Sequence, residues 1–208
     1  MCGRFTLISD MLQLNEHFKL ISKYGGVLVP RYNIAPSKSI PIIINRCIEF
    51  VNWGVELSNI PGSLIVNAKF ETALEKKLFK FAFKKTRCLI PGNGFFEWKI
   101  FGKQKIPYYI QIRNQPILGM AGLLIGDSCV ILTTATLKDK YKDGFHERLP
   151  CIIKPQHYLA WLDAKSSLEV VKSYDLQVDQ SDFFHFPVSS QVNNVKFDNS
   201  MCVKSLII

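Results

Sequence analysis

No stretch of this chain approaches the roughly 18 consecutive apolar residues that a membrane-spanning helix needs. No basic segment runs into an apolar one near its start, as an export signal would. The expected compartment is therefore the cytoplasm, with no membrane partner. Cysteine is sparse and scattered, with six residues at 2, 47, 88, 129, 151 and 202. No two lie within four residues of each other, which excludes the Cys-x-x-Cys spacing of zinc knuckles and redox motifs. In a reducing compartment an even count is no argument for disulfides. Neither metal nor cofactor is expected. Internal repeats, low-complexity segments and Gly/Ser- or Pro-rich linkers are also missing, so residues 1–208 read as one domain, expected to be a monomer. Acid is in short supply: 17 Asp and Glu stand against 26 Lys and Arg, for a net charge of +9. That surplus favours a polyanionic partner, nucleic acid before an anionic membrane surface.

What is present reads as an α+β chain. Residues 39–45 and 47–55 pattern as two strands with a tight turn at Asn45-Arg46. Segments 94–100, 106–113, 117–125 and 129–135 are apolar or alternating, and turn material at Gly102-Lys103, Asn114-Gln115-Pro116 and Gly126-Asp127-Ser128 separates them. Helical spacing follows a cap at Ser9-Asp10, and helices are predicted at 72–80 and 155–164, the last with Pro155 in its first turn. The expectation is a mainly antiparallel β core with peripheral helices. Whether that core closes into a barrel is left open by the pattern. Cys88, Cys129 and Cys151 lie in apolar runs and read as inert buried thiols.

The chain opens Met1-Cys2-Gly3-Arg4-Phe5. If Met1 is removed, Cys2 presents a primary amine and a thiol on adjacent carbons, which no internal cysteine can do. The amine condenses with an aldehyde to an imine, and the sulfur closes onto that carbon as a five-membered thiazolidine. Unperturbed, both groups are partly deprotonated near neutral pH, with pKa values of about 8 and 8.5.

Further strings stand along the chain: Arg31-Tyr32-Asn33-Ile34-Ala35-Pro36-Ser37, Trp53-Gly54, Asn67-Ala68-Lys69-Phe70-Glu71-Thr72 and Arg87-Cys88-Leu89-Ile90-Pro91. After them come Gly94-Phe95-Phe96-Glu97-Trp98, His146-Glu147-Arg148-Leu149-Pro150, Pro187-Val188-Ser189 and Asn193-Asn194-Val195-Lys196. In this order, from residue 1 to residue 196, they resemble the SOS-response-associated peptidase family, whose members are abasic-site processing proteins. The resemblance implies a covalent cross-link between Cys2 and abasic sites in single-stranded DNA. By the same resemblance Asn67 orients the amine and the sugar, Glu97 is general acid/base, and His146 assists sugar-ring opening and proton transfer. It further implies that Arg4, Asn33, Lys69, Lys77, Trp98 and Arg148 contact DNA, the cations on phosphates and Trp98 against a base. Lys69 and Lys77 replace the family's usual arginines, exchanging bidentate grips for point charges. Asn59-Ile60 stands where the family has tryptophan.

Each residue also has a plainer reading. Glu97 alternates with Phe95 and Lys99 and could be an ordinary outward carboxylate. Glu71 and Thr72 open a predicted helix and read as capping residues. Lys76, Lys77, Lys80, Lys84, Lys85 and Arg87 form the strongest local positive field or merely a solvated helix face. Two other functions fit the same features: a cysteine autopeptidase cutting at Cys2, and a non-covalent single-strand-binding module. A minor lyase activity would follow from an imine left untrapped by sulfur.

Overall fold

The computed structural model describes residues 2–21, 26–57, 60, 62–135, 147–173 and 182–206. Its first strands are β1 (Phe5–Leu7), β2 (Arg31–Ile34), β3 (Ser39–Ile44), β4 (Cys47–Trp53), β5 (Val55–Glu56), β6 (Leu64–Ile65) and β7 (Asn67–Lys69). There follow β8 (Arg87–Gly92), β9 (Gly94–Phe101), β10 (Gln104–Ile112), β11 (Leu118–Ile125), β12 (Ser128–Ala135), β13 (Arg148–Pro150), β14 (Ile152–Ile153) and β15 (Phe183–Pro187). The helices are α1 (Met11–His17), α2 (Lys77–Lys85), α3 (Tyr158–Leu162) and α4 (Leu168–Ser173).

The strands build two principal sheets. One has the order β15-β10-β9-β1-β2, and the other runs β13-β12-β4-β3-β8-β11-β14 with β7 added to β12. A further β11–β12 pairing closes β12, β4, β3, β8 and β11 into a ring. Five strands of strictly alternating direction cannot close a ring, so one pair has to be parallel. That pair is β12–β4, matching Ser128 with Asn52 and Cys129 with Trp53. Together with the helices packed outside, this is an α+β fold with a mainly antiparallel core.

Local chemistry explains most of the elements. Asp10 caps α1, accepting from the Gln13 N–H while the Gln13 side chain bonds back to the Asp10 N–H. Asn45 and Arg46 turn the β3–β4 hairpin with φ of 50° and 61°, the left-handed pair that matches strand twist. The helix predicted at 72–80 instead occupies Lys77–Lys85, with a single 3₁₀ turn at Phe70–Thr72 before it. Its apolar face is Leu78, Phe79, Ala82 and Phe83, so the helical period begins later than the sequence window placed it. Cys88, Cys129 and Cys151 are all buried and unpaired, as their apolar surroundings predict.

β9 holds the first sheet together and carries side chains to both of its faces. At its base Gly94 leaves room for Tyr109 to reach across from β10 and hydrogen-bond Thr6 of β1 at 2.8 Å. A Cβ at position 94 would lie 2.5 Å from the Tyr109 hydroxyl and 2.7 Å from the Ile110 carbonyl. Phe95 belongs to the main core, whereas Phe96 belongs to a second cluster with Tyr109, Val188, Val192 and Cys202. Strand alternation then puts Glu97 on the Phe95 side and Trp98 on the Phe96 side, and Trp98 indeed packs against the second cluster.

Candidate active site

Cys2 lies just before β1 and is fully buried. β1 pairs antiparallel with β9 through Phe5 and Phe95, and the Phe96 N–H bonds the Arg4 carbonyl at 2.9 Å. Continued by one residue, this register brings Glu97 opposite Gly3 and beside Cys2. From the other sheet Asn67 reaches in, and its Nδ2 donates to the Cys2 carbonyl at 2.9 Å. The Asn67 Oδ1 is buried and has no hydrogen-bond partner among the described residues. An acceptor is thus left over beside Cys2.

Trp53 sets the distance between these two sheets. Its ring lies edge-on to Phe5 of β1, with centroids 5.2 Å apart, and its indole N–H donates to the Val66 carbonyl at 3.0 Å. Val66 immediately precedes Asn67, so one buried side chain ties the strand after Cys2 to the strand carrying Asn67. The string Trp53-Gly54 gave no hint of this positioning role, because the bond spans a turn and a strand pair.

Burial dominates the electrostatics. It pushes the Glu97 carboxyl up to about 7, against the pull of the chain's α-amino charge and of backbone hydrogen bonding at Trp98. A carboxyl in that range exchanges protons readily at neutral pH, which suits acid–base work. Desolvation also pushes the Cys2 thiol up to about 12, and the Glu97 charge adds to the rise. The unperturbed thiol value assumed from sequence therefore does not describe this state: the sulfur is held as a thiol by a dry site and a neighbouring carboxylate. His146, the fourth residue of the expected set, lies outside the described residues. No cluster of three His, Cys, Asp or Glu that could hold a metal occurs among the described residues.

The six residues expected to contact DNA separate into two groups. Arg4, Asn33 and Trp98 gather on the Phe96 side of the first sheet. Arg4 Nη1 donates to Asn33 Oδ1 at 2.7 Å and to the Val192 carbonyl at 2.6 Å, and its guanidinium sits 5.9 Å from the Trp98 ring centroid. The Trp98 indole N–H is held by Asn193 Oδ1 at 2.8 Å. Asn33 is buried, and its Nδ2 donates to the carbonyls of Val192, Asn194 and Phe197. Instead of facing outward, its amide is occupied in anchoring the 192–197 segment.

Lys69 and Lys77 belong to the second group. With Asn67, Thr72 and Lys76 they line an open depression of about 580 Å³ that Ile65, Ala68, Leu78 and Phe79 complete. Three cations thus line the same depression as the Cys2-binding amide. Arg148 is half-buried and paired with Glu71 Oε2 at 2.7 Å, and its Nε donates to Thr133 Oγ1 at 3.1 Å. Glu71 is therefore no helix cap. Burial raises its pKa, but the Arg148 bond and the Ala135 N–H outweigh that and leave it below the usual range. Arg87 also leaves the basic face: it is buried, donating to the carbonyls of Phe83, Trp161 and Asp163. Asn59 lies outside the described residues, and Ile60 is half exposed in the β5–β6 loop.

Known proteins resemble this chain in sequence and in fold. The family model described as SOS response associated peptidase (SRAP) matches residues 1–195. The chain is 33% identical over 220 residues to the abasic site processing protein YoaM of Bacillus subtilis, covering 94% of each. It is 29% identical over 216 residues to the abasic site processing protein YedK of Escherichia coli, covering 94% of this chain and 96% of that one. A solved structure of a Bacteroides thetaiotaomicron protein superposes with a TM-score of 0.82 at 24% identity, over 99% of this chain and 100% of the other. That last likeness speaks to the fold alone. No helix among the described residues is long and apolar enough to cross a membrane.

Proposed function

From the premise that the chain belongs to the SOS response associated peptidase family, we propose that it processes abasic sites in single-stranded DNA by cross-linking them covalently to Cys2 once Met1 has been removed. The observation that carries this reading is the convergence at Cys2 of a carboxyl poised near neutral pH and an amide with a spare acceptor.

An abasic deoxyribose opens to an aldehyde. The Cys2 amine adds to its carbon to give a carbinolamine, which loses its hydroxyl as water to form an imine. The sulfur then adds to the imine carbon and its proton passes to nitrogen, closing the thiazolidine. One water leaves and nothing is oxidised or reduced. Glu97 gives a proton to the departing hydroxyl and can recover one from the thiol. Asn67 orients the amine and the sugar through the same side chain that now holds the Cys2 backbone. His146 assists ring opening in this scheme. Lys69 and Lys77 hold phosphates as point charges, and Trp98 faces a base with Arg4 beside it.

The alternative of Cys2 as a peptidase nucleophile against its own N-terminus is less well supported. That reaction needs a thiolate, and a thiol pushed up to about 12 supplies little of it at neutral pH. Removal of Met1 by a general aminopeptidase, for which the small Cys2 side chain is suited, is the simpler route.

The test is direct. Purified protein is incubated with uracil-containing single-stranded DNA that a uracil glycosylase has converted to abasic DNA. A slow, heat-stable species on a denaturing gel is expected. Its absence, with intact-mass analysis showing that the chain begins at Cys2, would refute the reading.

A further inference from the structure

The amphipathic division of α2 leaves one feature that neither the fold nor the Cys2 site uses. Leu78, Phe79, Ala82 and Phe83 face the protein. Phe81 points the other way and is 70% exposed, on a face shared with Lys80, Lys84 and Lys85. At 100° per residue, positions 77, 80, 81, 84 and 85 fall on one side of the helix. Lys84 and Lys85 have a structural reason to be there, since cations in a last turn favour the helix dipole. Phe81 has none: its ring buries little and interrupts an otherwise cationic surface. At its N-terminal end this face meets the depression lined by Asn67, Lys69 and Lys77. An aromatic ring flanked by lysines and leading away from a cationic wall is how single strands are held without sequence preference, by stacking and charge together.

We propose that the outer face of α2 is a track for single-stranded DNA continuing from the Cys2 site, with Phe81 as a stacking platform and Lys80, Lys84 and Lys85 as phosphate contacts. The proposal rests on the abasic-site reading and adds to it a second contact region outside the lesion pocket. The helix is about 13 Å long, room for roughly four nucleotides at stacked spacing. Charge complementarity selects the occupant, because a polyanion with flat bases satisfies the cations and the ring at once.

The experiment uses the full chain and fluorescence anisotropy on oligonucleotides carrying a tetrahydrofuran abasic analogue, which has no aldehyde. One is long on both sides of the lesion, and two others are trimmed close to it on one side each. Phe81→Ala should weaken binding of the long strand by about 5-fold or more, the lower end of a lost stacking contact. It should leave one trimmed strand unaffected, and Phe81→Trp should retain the long-strand affinity. The triple variant Lys80→Gln, Lys84→Gln, Lys85→Gln should flatten the log–log salt slope on the long strand by about 2. Equal losses on all three strands, or none, would overturn the track. So would Phe81-dependent binding to phosphatidylserine vesicles without an effect on DNA, which would assign the face to a membrane. These outcomes are separate from the cross-link: a wild-type chain that forms no heat-stable adduct refutes the abasic reading, while a Phe81→Ala chain that binds every strand normally refutes only the track.

Discussion

The two faces of β9 carry adjacent residues into opposite environments. Glu97 points to the main core beside buried Cys2, and its carboxyl is pushed up to about 7. Trp98 points to the smaller cluster, partly exposed, with Arg4 across its ring and Asn193 on its indole nitrogen. Strand alternation places Glu97 on the dry face, where desolvation shifts protonation, and Trp98 on the wet one, where an aromatic ring remains reachable; the function proposed above assigns chemistry to the first and recognition to the second. The segment leading into β1 divides as well: Phe5 sits in the main core while Arg4 lies with Trp98, and Cys2, ahead of the strand, is buried in the main core too. On that proposal, bond-making and strand-holding fall on opposite faces, and variants on either face should fail in different ways.

The largest effect belongs to the dry face. Cys2→Ser should abolish the heat-stable adduct while leaving an imine that borohydride traps, because serine keeps the amine but its hydroxyl closes the equivalent ring far less favourably. Denaturing gels with and without borohydride read both products. An undiminished heat-stable adduct from this variant would remove sulfur from the product and undo the comparison.

Glu97→Gln comes next. Losing a positioned acid–base group should slow single-turnover cross-linking by about 10²-fold, and the wild-type rate should respond to a carboxyl that burial holds above its ordinary range. The same substitution tests the burial argument through stability. The folded value of about 7 lies above the ordinary 4.5, so the folded protein keeps a proton that the unfolded chain gives up as pH rises between them. Glu97 therefore costs nothing below 4.5, progressively more up to 7, and a constant amount above that. The full cost is on the order of 3 kcal/mol. Glu97→Gln should raise Tm at pH 8 and leave it nearly unchanged at pH 4, by thermal melts of the Met1-bearing chain. A variant less stable at pH 8 would mean that Glu97 supports the fold and is not strained by it.

How much of this was legible in the sequence follows the range of each interaction. The Asn45-Arg46 hairpin and the Asp10 cap are local, and their chemistry is written in consecutive residues. Cys2, Asn67 and Glu97 were found as a set only through motifs in register, because no periodicity says which strand faces will meet. Asn33 is known from sequence only through the resemblance, as a DNA contact; that its amide donates to carbonyls at 192, 194 and 197, about 160 positions away, and is buried could not be read locally. Arg87 reads in sequence as part of a positive field, and the resemblance makes Arg148 a DNA contact; in the fold Arg87 donates to three backbone carbonyls and Arg148 is paired with Glu71. The start of α2 was misplaced because Thr72 to Lys76 mimics a helical beginning in composition. Only the packing of Leu78, Phe79, Ala82 and Phe83 fixes where the helix starts.

On the wet face Trp98→Ala should cost about 1–3 kcal/mol of binding to the tetrahydrofuran-bearing strand, the range for one stacked base. The salt slope should stay almost unchanged, since stacking releases few counterions. Arg4 is coupled to this result, because its guanidinium packs against the same ring. If Trp98→Ala lowered the cross-linking rate at saturating DNA as Glu97→Gln does, the two faces would not be separable.

The smallest effect is the most diagnostic for where the strand runs. Lys77 opens α2 after Lys76, whose side chain makes no capping bond, and the first turn holds no acidic residue. A helix N-terminus normally favours negative charge, so two lysines there oppose the dipole rather than complement it. A phosphate at this position would neutralise both cations and suit the positive end of the helix. Removing one of those cations should change affinity only modestly at low salt. It should flatten the log–log salt slope by about 0.7, the value of one single-strand phosphate contact. Lys77→Gln and wild type would be compared by anisotropy from low to physiological salt, with Trp98→Ala measured alongside. The expected pattern is reciprocal: Lys77→Gln shifts the slope and Trp98→Ala shifts the intercept. If Lys77→Gln keeps the full slope, the strand does not cross the depression beside Asn67, and the cationic wall there has some other use.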